Sequence, residues 1–375
     1  MERPRPRNCA TGRNWFALRP ETVLTKPVID EPFFPTTDVL RSRDKAQLAF
    51  HERAAGVAVE TFGNQVFVRA VVEVSNFCRE NCSYCGMRRD NRGLARHRAR
   101  LDQLAELLVH HRPASVTDVN IQAGEDPLIV REVVLPLIKI LRHETSVGLS
   151  VCLGTLNRSL YGALKSAGAS TYIIKFEVAD PELYAHLEAP GTFAERVEHI
   201  RLLAATGWNV SSGFIAGLPG ETEGALLANF SLARRLPLEG CSVSPFIPGE
   251  ATPFANAPTA DIDLTLNCMA ALRLMRPRWV IPAVSALNLA GPGDGYRRGL
   301  RTGANLVTIN LTPPGLREDY VLYRRDRFIM TEERILAAIE AEGLKASRQS
   351  LADYYRQKNA LTTSPRRSRL ERVAV

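Results

Sequence analysis

The amino-acid sequence predicts an α/β fold, a (βα)8 barrel of the TIM type with parallel strands. Three observations predict it. Eight short apolar runs alternate with longer stretches of helical periodicity from about residue 66 onward. Many of those stretches end at Gly or Pro, and several begin beside Asp, Thr or Pro, as helix caps require. Polar residues follow the apolar runs, where a barrel places its active site. A doubly wound open sheet is the alternative, because strand number is hard to read from one sequence.

The elements follow one another in barrel order. The predicted strands cover residues 66–75, 116–122, 147–153, 171–177, 208–215, 240–247, 279–287 and 305–311. The main predicted helices cover residues 101–111, 130–143, 158–167, 192–205, 221–235 and 264–276. We expect an N-terminal extension (1–59) that wraps the barrel, the barrel itself (60–315), a closing segment with a helix (316–358) and a disordered tail (359–375).

Composition excludes several classes of protein. Hydrophobic residues make up 45% and charged residues 23% of the 375 residues, as in a globular protein. No apolar run approaches the ~20 residues of a membrane span. The N-terminus lacks the apolar core of a secretory signal, so we expect a cytoplasmic protein that does not bind membranes.

Three of the seven cysteines are clustered. Cys78, Cys82 and Cys85 form a C-x3-C-x2-C loop directly after the first predicted strand. A structural zinc site normally has four ligands, whereas three thiolates on a cluster of four irons leave one iron open. The pattern therefore favours an iron–sulfur site. The scattered Cys9, Cys152, Cys241 and Cys268 are interpreted as small core residues.

With this loop at the end of the first barrel strand, the chain resembles the radical S-adenosylmethionine (SAM) superfamily over about residues 60–315. The resemblance implies that the three cysteines bind a [4Fe-4S] cluster, and that the amino and carboxylate groups of SAM occupy the open iron. It also implies that one electron, from a flavodoxin or ferredoxin-type donor, releases a 5′-deoxyadenosyl radical from SAM.

Further positions match the superfamily in order. Tyr84 matches the aromatic residue beside the adenine. Gly124 and Glu125 match a Gly-Glu motif whose groups accept hydrogen bonds from the SAM amino group. Glu177 and Arg196 match groups for the SAM ribose or amino acid moiety, and the planar fork of an arginine suits a carboxylate.

The fifth strand matches a glycine-rich motif beside the adenine. The run is Gly213-Phe214-Ile215-Ala216-Gly217-Leu218-Pro219-Gly220-Glu221. In this motif we expect Ser212, Gly213 and Ile215 to contact SAM, because glycine lets the backbone approach a flat base. Read alone, the run could also be an ordinary turn before a helix.

Within the superfamily, the chain resembles the biotin synthase-like branch, which includes methylornithine synthase and the radical SAM maturase of [FeFe]-hydrogenase. Leu153-Gly154-Thr155-Leu156 resembles biotin synthase, but the extra cysteines of a second cluster are not matched. Strands six and seven carry Cys241-Ser242-Val243-Ser244 and Ala283-Val284-Ser285-Ala286, without the charged groups that hold a diamino acid in methylornithine synthase.

The resemblance therefore implies a radical SAM enzyme that acts on a small polar metabolite and makes or rearranges C–C or C–S bonds. A methylornithine synthase-like mutase, a non-catalytic iron–sulfur or zinc scaffold and a thiol redox protein using Cys82 and Cys85 are the alternatives. A scaffold or a dithiol needs no SAM pocket, so Glu125 and Arg196 separate the enzyme from these two.

The net charge of +8 includes six arginines between residues 88 and 100 and four between residues 366 and 372. We interpret both groups as solvated segments, with docking of an acidic electron-transfer protein or phosphate binding as the alternative for the first. Aromatic residues do not alternate with these arginines, so nucleic acid is not an expected partner.

Overall fold

The computed structural model describes residues 33–290, 294–325 and 328–363. A curved parallel sheet lies at its centre. Its strands are β1 Gln65–Ser75, β2 Asp118–Ala123, β3 Gly148–Cys152, β4 Thr171–Ile173, β5 Asn209–Ala216, β6 Gly240–Pro245, β7 Leu306–Asn310 and β8 Lys345–Ala346. Their order across the sheet is β6-β5-β4-β3-β2-β1-β7, and β8 pairs with the start of β1. All pairs are parallel, which confirms the predicted barrel-type α/β fold.

The predicted seventh strand, 279–287, is wrong as a strand. This segment makes only two isolated bridges, from Val280 to Gly240 and from Pro282 to Leu306, and a helix begins at Leu287. The buried guanidinium of Arg273 binds the carbonyl oxygens of Pro277 and Trp279. Within the segment, Pro282 has no N–H to donate to a neighbouring strand. The bridges nevertheless connect β6 to β7 across the gap in the sheet.

The predicted fourth strand, 171–177, is regular only to Ile173. Beyond it, the N–H groups of Phe176 and Glu177 both donate to the carbonyl of Gly213. Glu177 has a φ of 61°, a left-handed conformation that a non-glycine residue rarely adopts and that breaks the regular ladder. Backbone strain of this kind is commonly found at functional sites.

Helices surround the sheet. They are α1 Thr37–Leu40, α2 Asp44–Phe62, α3 Leu101–His110, α4 Pro127–Ile129, α5 Leu135–Glu144, α6 Arg158–Ala167, α7 Pro181–His186, α8 Phe193–Ala205, α9 Glu223–Arg235, α10 Ile262–Met275, α11 Leu287–Ala290, α12 Gly295–Leu300, α13 Pro314–Arg317, α14 Glu332–Ala341 and α15 Leu351–Thr363. A π-helical turn, Val130–Val134, precedes α5, where the sequence predicts one continuous helix. The main apolar core lies between these helices and the outer face of the sheet.

Strand alternation separates two environments on β1. Val68, Ala70 and Val72 point to the helices and are fully buried, whereas Arg69 and Glu73 line a central cavity. In many barrels this interior is filled by branched apolar side chains, but here much of it is polar.

Some predictions lie outside the described residues, namely Cys9, the first 32 residues of the N-terminal extension and the tail from residue 364. Among the described residues, no helix has both the length and the apolar character needed to cross a membrane.

Candidate active site

The cysteine loop leaves the end of β1 and is held in shape by polar side chains. Asn76 is buried and donates to the carbonyls of Ala95 (2.7 Å) and Asp319 (2.8 Å). The guanidinium of Arg96 binds the carbonyls of Asn76 at 2.5 Å and Met87 at 2.9 Å, within the loop. These contacts give a loop without regular secondary structure a defined course.

The arginines near this loop serve mainly its structure. Arg88 pairs with Glu188 at 3.3 Å, and Arg98 pairs with Asp126 at 2.7 Å. Arg92 is exposed, and Arg89 is exposed beside Asp90. The interpretation of the whole run as a solvated segment is therefore wrong for Arg88, Arg96 and Arg98, whose side chains bind other parts of the structure.

The three thiols lie close enough to influence one another electrostatically. Burial raises the pKa of Cys78, raises that of Cys82 well above its usual value, and raises that of Cys85 to about 12. Neighbouring thiols add to the effect on Cys82 and Cys85. Without a bound cation these sulfurs are thus protonated, and metal binding must displace their protons.

The donor set fits an iron–sulfur cluster. Among the described residues, no three His, Cys, Asp or Glu side chains converge as the ligands of one metal ion would. The thiolates of a [4Fe-4S] cubane each bind a different iron, so they do not need to converge on one point. The N–H of Glu125 points at Sγ of Cys78 at 3.4 Å, a contact that stabilises a thiolate.

Gly124 and Glu125 follow β2 directly beneath the cysteine loop. A Cβ atom on residue 124 would lie 2.3 Å from the carbonyl oxygen of Phe77 and 2.9 Å from Cβ of Cys78, so only glycine fits. The carboxylate of Glu125 is buried and binds Arg79 at 3.0 Å and Arg196 at 3.2 Å.

Arg196 is positioned by the first turn of α8. That helix begins with a capping box between Thr192 and Glu195, and the next residue, Arg196, points inward with its side chain only 4% exposed. Burial by itself would lower the pKa of Arg196, but Tyr184 and Glu125 raise it above its usual value. Arg196 is therefore a permanent cation.

Glu177 lies near both Arg196 and Lys175, close enough for their charges to act on its carboxylate. Burial raises the pKa of Glu177, while the charges of Lys175 and Arg196 oppose that rise. Charge interactions also connect Glu177 with Cys82 and Cys85. The structure thus brings the carboxylate, two cations and the thiols to one end of the barrel.

Tyr84 and Ile215 belong to one apolar cluster on this rim, together with Val178, Tyr184 and Phe246. Tyr84 also lies beside Cys82 and Glu177, as their electrostatic influence on its hydroxyl shows. An apolar wall next to charged groups is the surface that a nucleoside would need.

The fifth-strand residues do not all reach this site. Ser211 lines the cavity, so Ser212 shares the opposite face with Val210 and Phe214, toward the helices. Within the described residues, the hydroxyl of Ser212 is buried without a hydrogen-bond partner. Gly213 is required by packing, because a Cβ there would lie 2.5 Å from the carbonyl oxygen of Ser242.

The glycine-rich run after β5 is fixed by Glu221. Its carboxylate accepts from the N–H of Gly217 (2.7 Å), which has a φ of 78°, and from Asn229 (3.2 Å). Burial raises the pKa of Glu221 to about 7. The run is therefore a defined turn beneath the rim and leads into α9.

A cavity of about 210 Å³ lies in the barrel interior, and Lys175, whose charge acts on Glu177, is part of its lining. Its polar lining consists mainly of Arg69, Glu73, Asn120, Gln122, Cys152, Thr171, Lys175, Ser211, Ser242, Ser244, Ser285, Tyr296, Thr308, Asn310, Tyr323 and Tyr355. Lys175 donates to Ser244 at 3.1 Å, and Arg69 donates to Thr308 at 3.3 Å. Within the described residues, Nε of Arg69 is buried without a partner.

Sequence reasoning missed the charged groups on the first strand. Arg69 and Glu73 interrupt an otherwise apolar run, and their spacing of four residues places both on the same face of a strand. That spacing was the available signal. Cys152, interpreted as a core residue, also lines the cavity, whereas Cys241 and Cys268 are buried in the core as predicted.

Comparison with known proteins gives three concordant results. The family model of the radical SAM superfamily matches residues 72–233. The [FeFe] hydrogenase maturase subunit HydE of Thermotoga maritima is 34% identical over 261 residues, which cover 70% of this chain and 74% of HydE. The 3-methylornithine synthase of Methanosarcina barkeri is 28% identical over 297 residues, 77% of this chain and 82% of that protein.

Solved structures support the same fold. The crystal structure of methylornithine synthase (PylB) superimposes with a TM-score of 0.75 at 24% identity, covering 83% of this chain and 93% of that one. The HydE similarity and the family match together show that the chain belongs to the radical SAM superfamily of enzymes.

Proposed function

We propose that the protein binds a [4Fe-4S] cluster at Cys78, Cys82 and Cys85 and uses SAM to act on a small polar metabolite held in the barrel. When bound, the cluster and SAM supply a 5′-deoxyadenosyl radical. The observation that carries the proposal is the position of Glu177. Its carboxylate is close enough to interact electrostatically with Cys82 and Cys85, with Arg196 and with the cavity residue Lys175.

Different residues of the site would bind different parts of SAM. Arg196, a buried cation on a capped helix, suits the SAM carboxylate. Glu177 suits the ribose or the amino acid moiety, because it lies by Arg196 and beside the apolar cluster of Tyr84 and Ile215. Gly213 permits a close approach of β5 to its neighbour, and Ile215 and Tyr84 form the wall for the adenine.

The cavity supports a polar substrate that carries charge. Lys175 remains protonated, since burial would lower its pKa but Glu177 and Tyr323 raise it overall. Arg69 has a buried Nε without a partner in the described part of the chain, and Glu73 is buried on the same strand face. A ligand with both anionic and hydrogen-bonding groups fits these side chains, and an apolar ligand does not.

The alternatives are less well supported. Strand β6 contributes Ser242 and Ser244 to the cavity, and the segment 279–287 contributes Ser285. The charged side chains of the cavity come instead from β1, with Arg69 and Glu73, and from Lys175 just beyond β4. This differs from the charged strand-six and strand-seven pattern of a diamino acid mutase. A scaffold would not need a charged cavity next to its cluster.

An electron must reach the cluster from outside. We propose that a flavodoxin or ferredoxin-type donor docks beside the cysteine loop, where Arg89 and Arg92 are exposed. Acidic electron-transfer proteins suit such a basic edge, and the attraction weakens with salt.

The proposed function is tested with anaerobically reconstituted protein. It should hold about four irons per chain, lose them in Cys82→Ala, and cleave SAM to 5′-deoxyadenosine when reduced. Deuterium transfer from a labelled metabolite into 5′-deoxyadenosine would identify the substrate within a panel of charged small molecules. A fully loaded cluster without any SAM cleavage would refute the proposal.

A further inference from the structure

Within the described part of the chain, the carboxylate of Glu125 accepts four hydrogen bonds. Oε2 accepts from Nε and Nη2 of Arg79, at 3.2 and 3.0 Å. Oε1 accepts from the backbone N–H of Thr155 at 2.9 Å and from Nη2 of Arg196 at 3.2 Å. A carboxylate offers about four lone-pair positions, so none remains for a ligand.

The surroundings are built to hold this carboxylate. Gly154 has a φ of 67°, and a Cβ atom there would lie 2.1 to 2.4 Å from atoms of the Glu125 side chain. The carbonyl of Thr155 also accepts from Nη2 of Arg79 at 2.8 Å. The Leu153-Gly154-Thr155-Leu156 segment therefore provides room and one donor for Glu125, and an acceptor for Arg79.

Glu125 is also connected to the cysteine loop through its backbone. Its N–H points at Sγ of Cys78, and its carbonyl oxygen accepts from the N–H of Arg79 at 3.2 Å. One residue thus contacts a proposed cluster ligand, the arginine that follows it and the arginine on α8.

The guanidinium of Arg196 keeps the N–H groups of one nitrogen, Nη1, available for a ligand. Nε donates to the hydroxyl of Tyr184 at 3.4 Å, and Nη2 donates to Glu125 and to the carbonyl of Pro190 at 3.4 Å. In the described residues Nη1 has no such partner, so its two N–H groups can face a ligand carboxylate. The orientation of Nη1 depends on the contacts that hold Nη2.

We propose that Glu125 is a positioning residue that acts on SAM through Arg196 and is not itself a ligand of the SAM amino group. The proposal rests on the proposed function and assigns the carboxylate a different role from the one the Gly-Glu motif implies. Glu125 holds Arg196 in register with the cysteine loop, so that the carboxylate-binding donors and the cluster ligands keep a fixed separation.

A double-mutant cycle on SAM binding tests this role. The dissociation constant is measured anaerobically with the cluster loaded and oxidised, so that SAM binds without being cleaved. Glu125→Gln should raise it about tenfold. Arg196→Gln should raise it at least as much, and the double variant should match Arg196→Gln within about twofold, because Glu125 acts through the missing arginine. If instead the two single-variant effects on the dissociation constant multiply in the double variant, Glu125 contacts SAM independently of Arg196, and the proposal is overturned.

Asp126→Asn is the matched control. Asp126 is the next residue, equally buried and also bound to an arginine, Arg98, but it does not contact Arg196. Its dissociation constant for SAM should change less than about twofold. The change that SAM causes in the electron paramagnetic resonance spectrum of the reduced cluster should weaken in Glu125→Gln and persist in Asp126→Asn.

If Glu125→Gln does not fold, Glu125→Asp takes its place, since the shorter side chain keeps the charge but cannot span both arginines. The same non-multiplying result is expected with Arg196→Gln. Failure of the wild-type protein to bind SAM would instead reject the proposed function, so the two outcomes are distinguishable.

Discussion

Gly124 lies directly beneath Phe77, with the position of a missing Cβ atom 2.3 Å from the Phe77 carbonyl oxygen. Phe77 immediately precedes Cys78, so a side chain on residue 124 must push the cysteine loop away from the end of β2. The close approach of these two residues sets the height of Cys78, the first proposed cluster ligand, above the barrel.

Gly124→Ala is therefore expected to lower the iron content to less than half of the wild-type value and to lower the rate of SAM cleavage by at least the same factor. Iron and sulfide analysis after identical reconstitution measures this. Gly162→Ala is the control, because a Cβ on that α6 residue meets no atom within 4 Å and alanine favours a helix by ~1 kcal/mol. Equal iron content in both variants would show that the loop tolerates displacement.

Arg69 belongs to the proposed substrate half of the site and not to the proposed SAM half. It lines the cavity on β1 and contacts Thr308, away from the cysteine loop. Arg69→Gln should leave the dissociation constant of SAM within about twofold but raise the KM of a charged substrate about tenfold or more, the loss expected for one charged hydrogen bond. Thr308→Val, which removes only the neighbour of Arg69, should have a smaller effect. An unchanged KM in Arg69→Gln would place the substrate elsewhere.

Glu221 should make stability depend on pH. Burial raises its pKa from 4.5 to about 7, so the folded protein favours the protonated form. The stability that this provides is present below about pH 4.5 and is lost as the pH rises through 7. The free energy of unfolding of the wild type should fall relative to Glu221→Gln over this window, by at most ~3 kcal/mol. Parallel pH profiles from denaturant titrations would contradict the assignment.

Arg273 should be the most costly arginine to remove from the outer layer. Its buried guanidinium binds the carbonyls of Gly303, Pro277 and Trp279 and the side chain of Asn305. Arg273→Met should lower the free energy of unfolding by roughly 3 kcal/mol or more, since several buried acceptors lose their donor. Denaturant unfolding measures this, with Arg276→Met as the control, because Arg276 is exposed and makes one carbonyl contact.

Local patterns predicted most of the helices and strands, because periodicity and caps depend on neighbouring residues. The helix predicted over 158–167 is observed as Arg158–Ala167. The seventh strand was predicted wrongly because distant side chains take backbone groups that a ladder would use. The N–H of Ile281 donates to Asn305, the carbonyl of Trp279 accepts from Arg273, and Pro282 has no N–H. The shortened fourth strand has a similar origin, since the left-handed conformation of Glu177 leaves no periodic signal.

The sequence by itself determined the superfamily, through three clustered cysteines of the kind that would leave one ligand position of a four-iron cluster open. Spacing along one loop carries that information, because the ligands are neighbours in the chain. Only the tertiary structure decided that the Glu125 carboxylate accepts from Arg79, Thr155 and Arg196, and that Ser212 lies on the face of β5 opposite the cavity residue Ser211. Those facts depend on which residues the barrel brings together across the strands, and no local pattern records that.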